Sequence, residues 1–333
     1  MVYFVGIDLA WGSLDLARTP KQTGIAVLDG RGSLLQLRTA VSDRDIIESI
    51  EHYLQDECIV AIDAPLLVTN QTGQRPAESQ LNAVYQPFDA GAHSANIRRF
   101  TAEPRGARLA KALRLDIDPE SLDRARAVEV FPHLATVALF HLGRIFKYKK
   151  GSVDDRRSEL LRLIGALESL NSHPVRLNLA DNHSWRELRE AVSNAERQVD
   201  LDRAEDPVDA VVCAYVAMYA TRRPEDVVAY GNFPDNGYIL TPRLPGDVLP
   251  SPRQRPTSAA HGRDSWLTTV ASNAATLEQC RALVQQARTI LANVEKRSGE
   301  VAGESGTPAT DLRAIAEQLA NASGALEDIA DRM

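Results

Sequence analysis

The 333-residue chain is 44% hydrophobic and 25% charged, the composition of a folded globular protein and not of a disordered one. Its net charge of -7 argues against nucleic-acid binding by bulk charge, although a local basic groove is enough to track phosphates. No apolar run nears the roughly 20 residues that span a bilayer.

The chain opens MVYFVGIDLAWG, in which Tyr3, Phe4, Val5 and Ile7 make the β-branched, aromatic run of a buried central strand ending at Asp8. This start lacks the basic and apolar regions of a signal peptide, so the expected compartment is the cytoplasm. After a polar loop, residues 23–29 and 33–40 read as two strands joined by the Gly30-Arg31-Gly32 turn, a hairpin. Residues 42–54 read as a helix, with Ser42 as N-cap and Ile46, Ile47, Ile50 and Leu54 on one face. Cys58 begins a second apolar run that ends in Asp63-Ala-Pro65. Cys58, Cys213 and Cys280 are isolated, implying neither disulfides nor a zinc site. Two antiparallel strands beside the first, then a helix and a parallel strand, make a mixed α/β sheet.

Residues 69–123 have the texture of a helical insertion, with helices expected at 77–85 and 107–115. A strand is expected over 127–132, a helix over 133–142, a basic turn at 147–151, and helices over 153–169 and 184–199. Asp206-Pro207-Val208-Asp209 then opens an apolar helix to 221, with Pro207 at its first position and Asp206 as N-cap. Two short strands, 227–230 and 237–241, close a domain over 1–243. A Pro-, Ser- and Arg-rich linker over 244–264 leads to a helical hairpin over 265–333.

Five acids share a pattern. Asp8, Asp63 and Glu129 belong to short apolar strands, and Asp206 and Asp209 begin an apolar helix. Brought to one sheet edge, carboxylates repel and hold their protons more tightly unless divalent cations neutralise them. Mg²⁺ or Mn²⁺ suits such oxygen donors, and two ions about 4 Å apart stabilise both oxygens of an in-line phosphoryl displacement. Each acid also has a simpler reading. Asp206 can be a cap, Asp209 a partner of the helix dipole and Asp63 a turn former. Glu129, flanked by Val128 and Val130, is the hardest to explain that way. Arg98, Arg99, Lys147, Lys149 and Lys150 are either a solvated face or the positive surface that phosphates need, and Trp11 with Gly12 makes a turn beside Asp8.

The order of these pieces resembles the ribonuclease H-like fold. More closely, the chain is similar to the domain of unknown function 429 family, predicted ribonuclease H-like nucleases. The matching pieces are Gly6-Ile-Asp8 with Trp11-Gly12, Ala61-Ile-Asp63-Ala-Pro65-Leu66, Arg75-Pro-Ala-Glu78, Gly91-Ala-His-Ser-Ala-Asn96, Glu129-Val-Phe-Pro132, Lys147-Tyr-Lys-Lys-Gly151 and Glu205-Asp206-Pro-Val-Asp209-Ala210. They span about residues 1–243 and leave the tail unmatched. The chain departs from the pattern at His133, where the family commonly has Glu. The Asp206-x-x-Asp209-Ala spacing also resembles the end of Holliday-junction resolvases. The resemblance implies a metal-dependent nuclease acting on DNA or RNA, with Asp8, Asp63, Glu129 and Asp209 catalytic and the same four with Asp206 holding Mg²⁺ or Mn²⁺; whether Asp63 or Asp206 touches the metal stays open. It implies substrate contacts by Trp11, Arg98, Arg99, Lys147, Lys149 and Lys150. Two alternatives stand beside it. One is an ATP-dependent phosphotransferase of the actin-like and sugar-kinase group, which needs a Gly-rich phosphate loop that does not follow Asp8 here. The other is a non-catalytic scaffold whose helical tail binds a protein partner or a second copy.

Overall fold

Strand β1 (Val2–Asp8) lies at the middle of a five-stranded sheet because nearly all of its side chains are apolar and buried. It pairs antiparallel with β2 (Thr23–Asp29), which pairs antiparallel with β3 (Leu34–Ala40). On its other side it pairs in parallel with β4 (Glu57–Ile62), and β4 pairs in parallel with β5 (Ala125–Glu129). The order β3-β2-β1-β4-β5 is the mixed sheet expected of a ribonuclease H-like fold. These elements come from a computed structural model that describes residues 1–10, 22–100 and 103–252. The chain divides into the units Met1–Pro252 and Arg253–Met333. Trp11, Gly12, the last part of the expected linker and the expected hairpin over 265–333 lie outside the described residues.

Strand alternation sends side chains to two cores. Val5, Ile7, Ile25, Val27, Val60 and Ile62 face α1 (Asp43–Ile50) and α3 (Arg105–Ala112). Phe4, Ala26, Leu28, Ile59, Ala61 and Val128 face the other way, toward α5 (Val153–Ser169), α6 (His183–Ser193) and α7 (Gln198–Arg222). Each fully buried Val, Leu or Ile stabilises the fold by about 1.5–3 kcal/mol. Helix α1 starts where expected. Ser42 accepts from the Asp45 amide and Asp45 answers at the Ser42 amide, a complete capping box. It ends at Ile50, short of 54, with a 3₁₀ turn at Tyr53–Gln55. The insertion also carries α2 (Pro76–Tyr85), and α4 (Pro132–Leu139) follows β5. The closing strands β6 (Val227–Gly231) and β7 (Tyr238–Pro242) form a separate antiparallel pair.

The largest departure from expectation is α7. It begins at Gln198, so Pro207 lies inside it and Asp206 is no N-cap. Proline has no N–H to give the carbonyl four residues back, here that of Arg203. The side chain of Gln22 supplies the missing donor, its Nε2 lying 3.3 Å from that carbonyl oxygen. From Pro207 to Met218 every residue of α7 is buried, as in a helix enclosed on all sides. The helix lies directly on the sheet backbone at two glycines. A Cβ at Gly6 would overlap the Ala210 carbonyl oxygen, and one at Gly24 the Asp206 carbonyl oxygen. Among the described residues no helix is long and apolar enough to cross a membrane.

Candidate active site

The sheet parity decides which acids meet. Asp8 ends β1 on the side of Phe4 and Gly6, the side on which α7 packs. Asp63 directly follows Ile62, the register partner of Ile7, and therefore stands beside Asp8 on the same side. On α7, Asp206 and Asp209 are three residues apart and share a face. Asp8 lies close enough to Asp209, Asp63 and Asp206 for the charge of each to raise its pKa. Asp209 is completely buried. Its Oδ1 accepts from the Tyr148 hydroxyl, and its Oδ2 lies 2.7 Å from Lys149 Nζ. Four carboxylates from β1, the end of β4 and α7 thus stand within range of one another's charge, and one of them, Asp209, pairs with an ammonium.

Burial and mutual repulsion shape their protonation. Desolvation, then Asp209, push the Asp8 carboxyl well above the usual carboxylate range, against the pull of Lys149. Desolvation lifts Asp63 to about 7, with Lys149 opposing and Asp209 adding, and it lifts Asp206 to about 6, with Asp209 adding. For Lys149 desolvation acts downward, but Asp209 and Asp8 outweigh it and the ammonium holds its proton more tightly than usual. The surrounding shell keeps this arrangement in place. Arg156 of α5 donates through Nε to the Tyr148 carbonyl at 2.8 Å and pairs with Asp202 and Glu205 of α7. His133 stacks on the Tyr148 ring, centroids 5.3 Å apart, and burial lowers its pKa to about 4, so it is neutral at pH 7.

Glu129 is elsewhere in its chemistry. It pairs with Ile62, so in register the β5 residue beside Asp63 is Val130, and Glu129 shares the parity of Ala127 on the opposite face. Arg75, itself buried, forks onto it. Nη1 lies 3.0 Å from Oε2, Nη2 bonds Oε1, and the Leu66 amide donates to Oε2 at 2.9 Å. The same guanidinium binds Glu78 through Nε at 2.7 Å. Any metal taken by Glu129 would have to displace this fork. Asp63, Arg75 and Glu129 line one cavity of about 50 Å³, together with His93 and Phe131, and the Glu129 charge helps to raise Asp63.

Of the expected basic residues, Lys149 is the one that an ion pair ties to these acids among the described residues. Arg98 and Arg99 lie exposed in a 3₁₀ turn, where Arg99 donates to the Ser94 carbonyl. Lys147 pairs with Asp89 at 3.2 Å, and Lys150 is exposed. The expected role of Trp11 falls outside the described residues. The site residues that the sequence did not single out are Tyr148, Arg156, Arg75 and Gln22. Tyr148 and Arg75 stand inside motifs already noted, whereas Arg156 and Gln22 carry no local signal.

The donor set is all carboxylate oxygen, which suits a hard divalent cation. As the side chains stand, no group of three or more His, Cys, Asp or Glu is arranged to hold a metal among the described residues, and Lys149 pairs with Asp209. A family model described as protein of unknown function, DUF429, matches residues 6–234. The chain belongs to the DUF429 family. The match spans all five acids and the Arg75, Tyr148 and Lys149 positions. No curated protein and no solved structure matches the chain.

Proposed function

We propose that this DUF429 chain is a metal-dependent nuclease that hydrolyses phosphodiester bonds of DNA or RNA. The observation that carries this reading is the grouping of Asp8, Asp63, Asp206 and Asp209 within reach of one another's charge, with Lys149 paired to Asp209, which leaves carboxylates in excess of local positive charge. Asp8, Asp63 and Asp206 would hold Mg²⁺ or Mn²⁺, and a bound ion supplies Lewis-acid stabilisation of phosphate charge and a more acidic water. The remaining groups orient. Tyr148 and Lys149 fix both oxygens of Asp209. Arg156 holds the Tyr148 backbone, so the ammonium is presented at a fixed place beside the acids. Exposed Arg98, Arg99, Lys147 and Lys150 supply positive charge for phosphates of a longer substrate. This reading includes a cytoplasmic location, which the two buried free thiols among the described residues, Cys58 and Cys213, support.

The test is cleavage of end-labelled single- and double-stranded DNA and RNA with Mg²⁺ or Mn²⁺, comparing the natural chain with Asp8→Asn and Asp63→Asn. The expected result is metal-dependent cleavage that falls by about 100-fold or more in either variant, each folded by circular dichroism. Absence of cleavage on all four substrates, together with no heat of metal binding, would overturn the reading.

A further inference from the structure

The backbone of the loop Gly91-Ala-His-Ser-Ala-Asn96 is fixed on both sides of His93. Asn82 of α2 grips Ala92 twice, its Oδ1 accepting from the Ala92 amide at 2.6 Å and its Nδ2 donating to the Ala92 carbonyl at 3.1 Å. On the other side Arg99 donates to the Ser94 carbonyl at 2.7 Å, Ala95 is buried, and Asn96 donates to the Gly73 carbonyl at 3.0 Å. His93 itself is exposed, and no hydrogen bond or ion pair holds its ring among the described residues. A clamped backbone under a free ring keeps the imidazole near one place and leaves its nitrogens open to a ligand.

That place adjoins the acids. His93 lines the cavity of about 50 Å³ that Asp63 and Glu129 also line, which has room for water at roughly 10–15 Å³ for each molecule. Its charge also reaches His133, which stacks on the Tyr148 ring whose hydroxyl donates to Asp209. Arg75, Glu78 and Glu129 bind one another in the wall of the cavity. Of the titratable side chains in that wall, His93 is the exposed one, open to proton exchange with solvent. Imidazole is the side chain best suited to moving a proton near neutral pH.

We propose that His93 is a catalytic residue of this site, giving a proton to the oxygen that leaves when the phosphodiester is cut. The proposal rests on the nuclease reading above and adds a named proton donor to it. Water attacks phosphorus, and the bond from phosphorus to the leaving oxygen breaks with its electron pair going to that oxygen. The His93 proton converts the leaving oxygen to a hydroxyl. The attacking water sheds its own proton to solvent, and His93 takes one back from there, so the protons balance.

The experiment compares two leaving atoms. Cleavage of an end-labelled oligonucleotide, DNA or RNA as the natural chain prefers, is timed with Mg²⁺ or Mn²⁺ for the natural chain and His93→Ala. One probe has ordinary linkages; the other has sulfur in place of the bridging oxygen that becomes the free hydroxyl. A thiolate leaves without a proton, so His93→Ala should slow the ordinary linkage by about 100-fold and the sulfur linkage by less than about fivefold. A loss below about tenfold on the ordinary linkage, or losses of similar size on both, overturns the inference and leaves the nuclease reading standing. Where the natural chain does not cut the sulfur linkage, imidazole added to His93→Ala decides: recovery of about tenfold or more on the ordinary linkage supports the inference, and no recovery overturns it. No cleavage of any probe by the natural chain overturns the nuclease reading and this inference with it. His93→Gln takes the place of His93→Ala should the latter not fold.

Discussion

Two buried acidic sites lie a few residues apart at one end of the sheet, and they solve the same problem in opposite ways. Glu129 ends an apolar strand, as Asp8 does, yet a guanidinium fork and a backbone amide satisfy it fully. Of Asp8, Asp63, Asp206 and Asp209, it is Asp209 that pairs with a lysine, and burial with mutual repulsion raises the Asp8 and Asp63 carboxyls. Two buried glutamates, Glu78 and Glu129, held by one buried arginine make a unit that is costly to break. A group of acids short of cations is held at a cost that a bound cation would relieve. The difference separates a fold-holding group from a candidate reaction centre.

The comparison breaks most readily at Arg75. Replacing Arg75 by Met leaves Glu78 and Glu129 buried without their cation, and the expected loss is about 3–5 kcal/mol in urea unfolding. A loss below about 1 kcal/mol would mean that the unit is not costly to break. Matched neutral substitutions sharpen the contrast by sign. In the metal-free chain at pH 8, Glu129→Gln is expected to destabilise by about 2 kcal/mol, because a charged hydrogen-bond acceptor is lost. Asp63→Asn should instead stabilise by about 1 kcal/mol through relief of repulsion. Equal signs in the two variants would erase the distinction.

A pH scan of the metal-free chain probes the aspartate half alone. The folded Asp63 carboxyl titrates at about 7 and Asp206 at about 6, against about 4 for an unfolded aspartate. Between these values the folded chain binds more protons than the unfolded one, so stability falls as pH rises from about 4 to 7. Tm should follow that slope, and Asp63→Asn should flatten it. The smallest effect is expected away from both sites. Gln22→Ala leaves the Arg203 carbonyl without its donor and should cost about 1 kcal/mol, read as a shift in urea midpoint.

Much of the frame is legible in sequence because its signals are local. The hairpin turn at residues 30–32, the Ser42 cap and the strand-end positions of Asp8 and Asp63 each depend on a few neighbouring residues. Glu129 differs because a strand's parity is set by its register with β4, and one residue decides the face. Pro207 reads locally as a helix start, yet Gln22, 181 positions before the Arg203 carbonyl that it binds, lets the helix run through it. Arg75 lies 54 positions from Glu129, so no window of sequence displays that pair. Such tertiary compensation is what pattern reading omits.

The two glycines under α7 bear on how the centre is calibrated. At Gly6 and Gly24 helix and sheet meet backbone to backbone, with no room for a side chain between them. The separation of Asp206 and Asp209 from Asp8 is therefore set by main-chain thickness, which substitution cannot adjust in small steps. Elsewhere in the core a methyl group added or removed can shift a helix by a fraction of an ångström. Here the helix is already at its closest approach, so the carboxylates can only be spread apart, never drawn tighter.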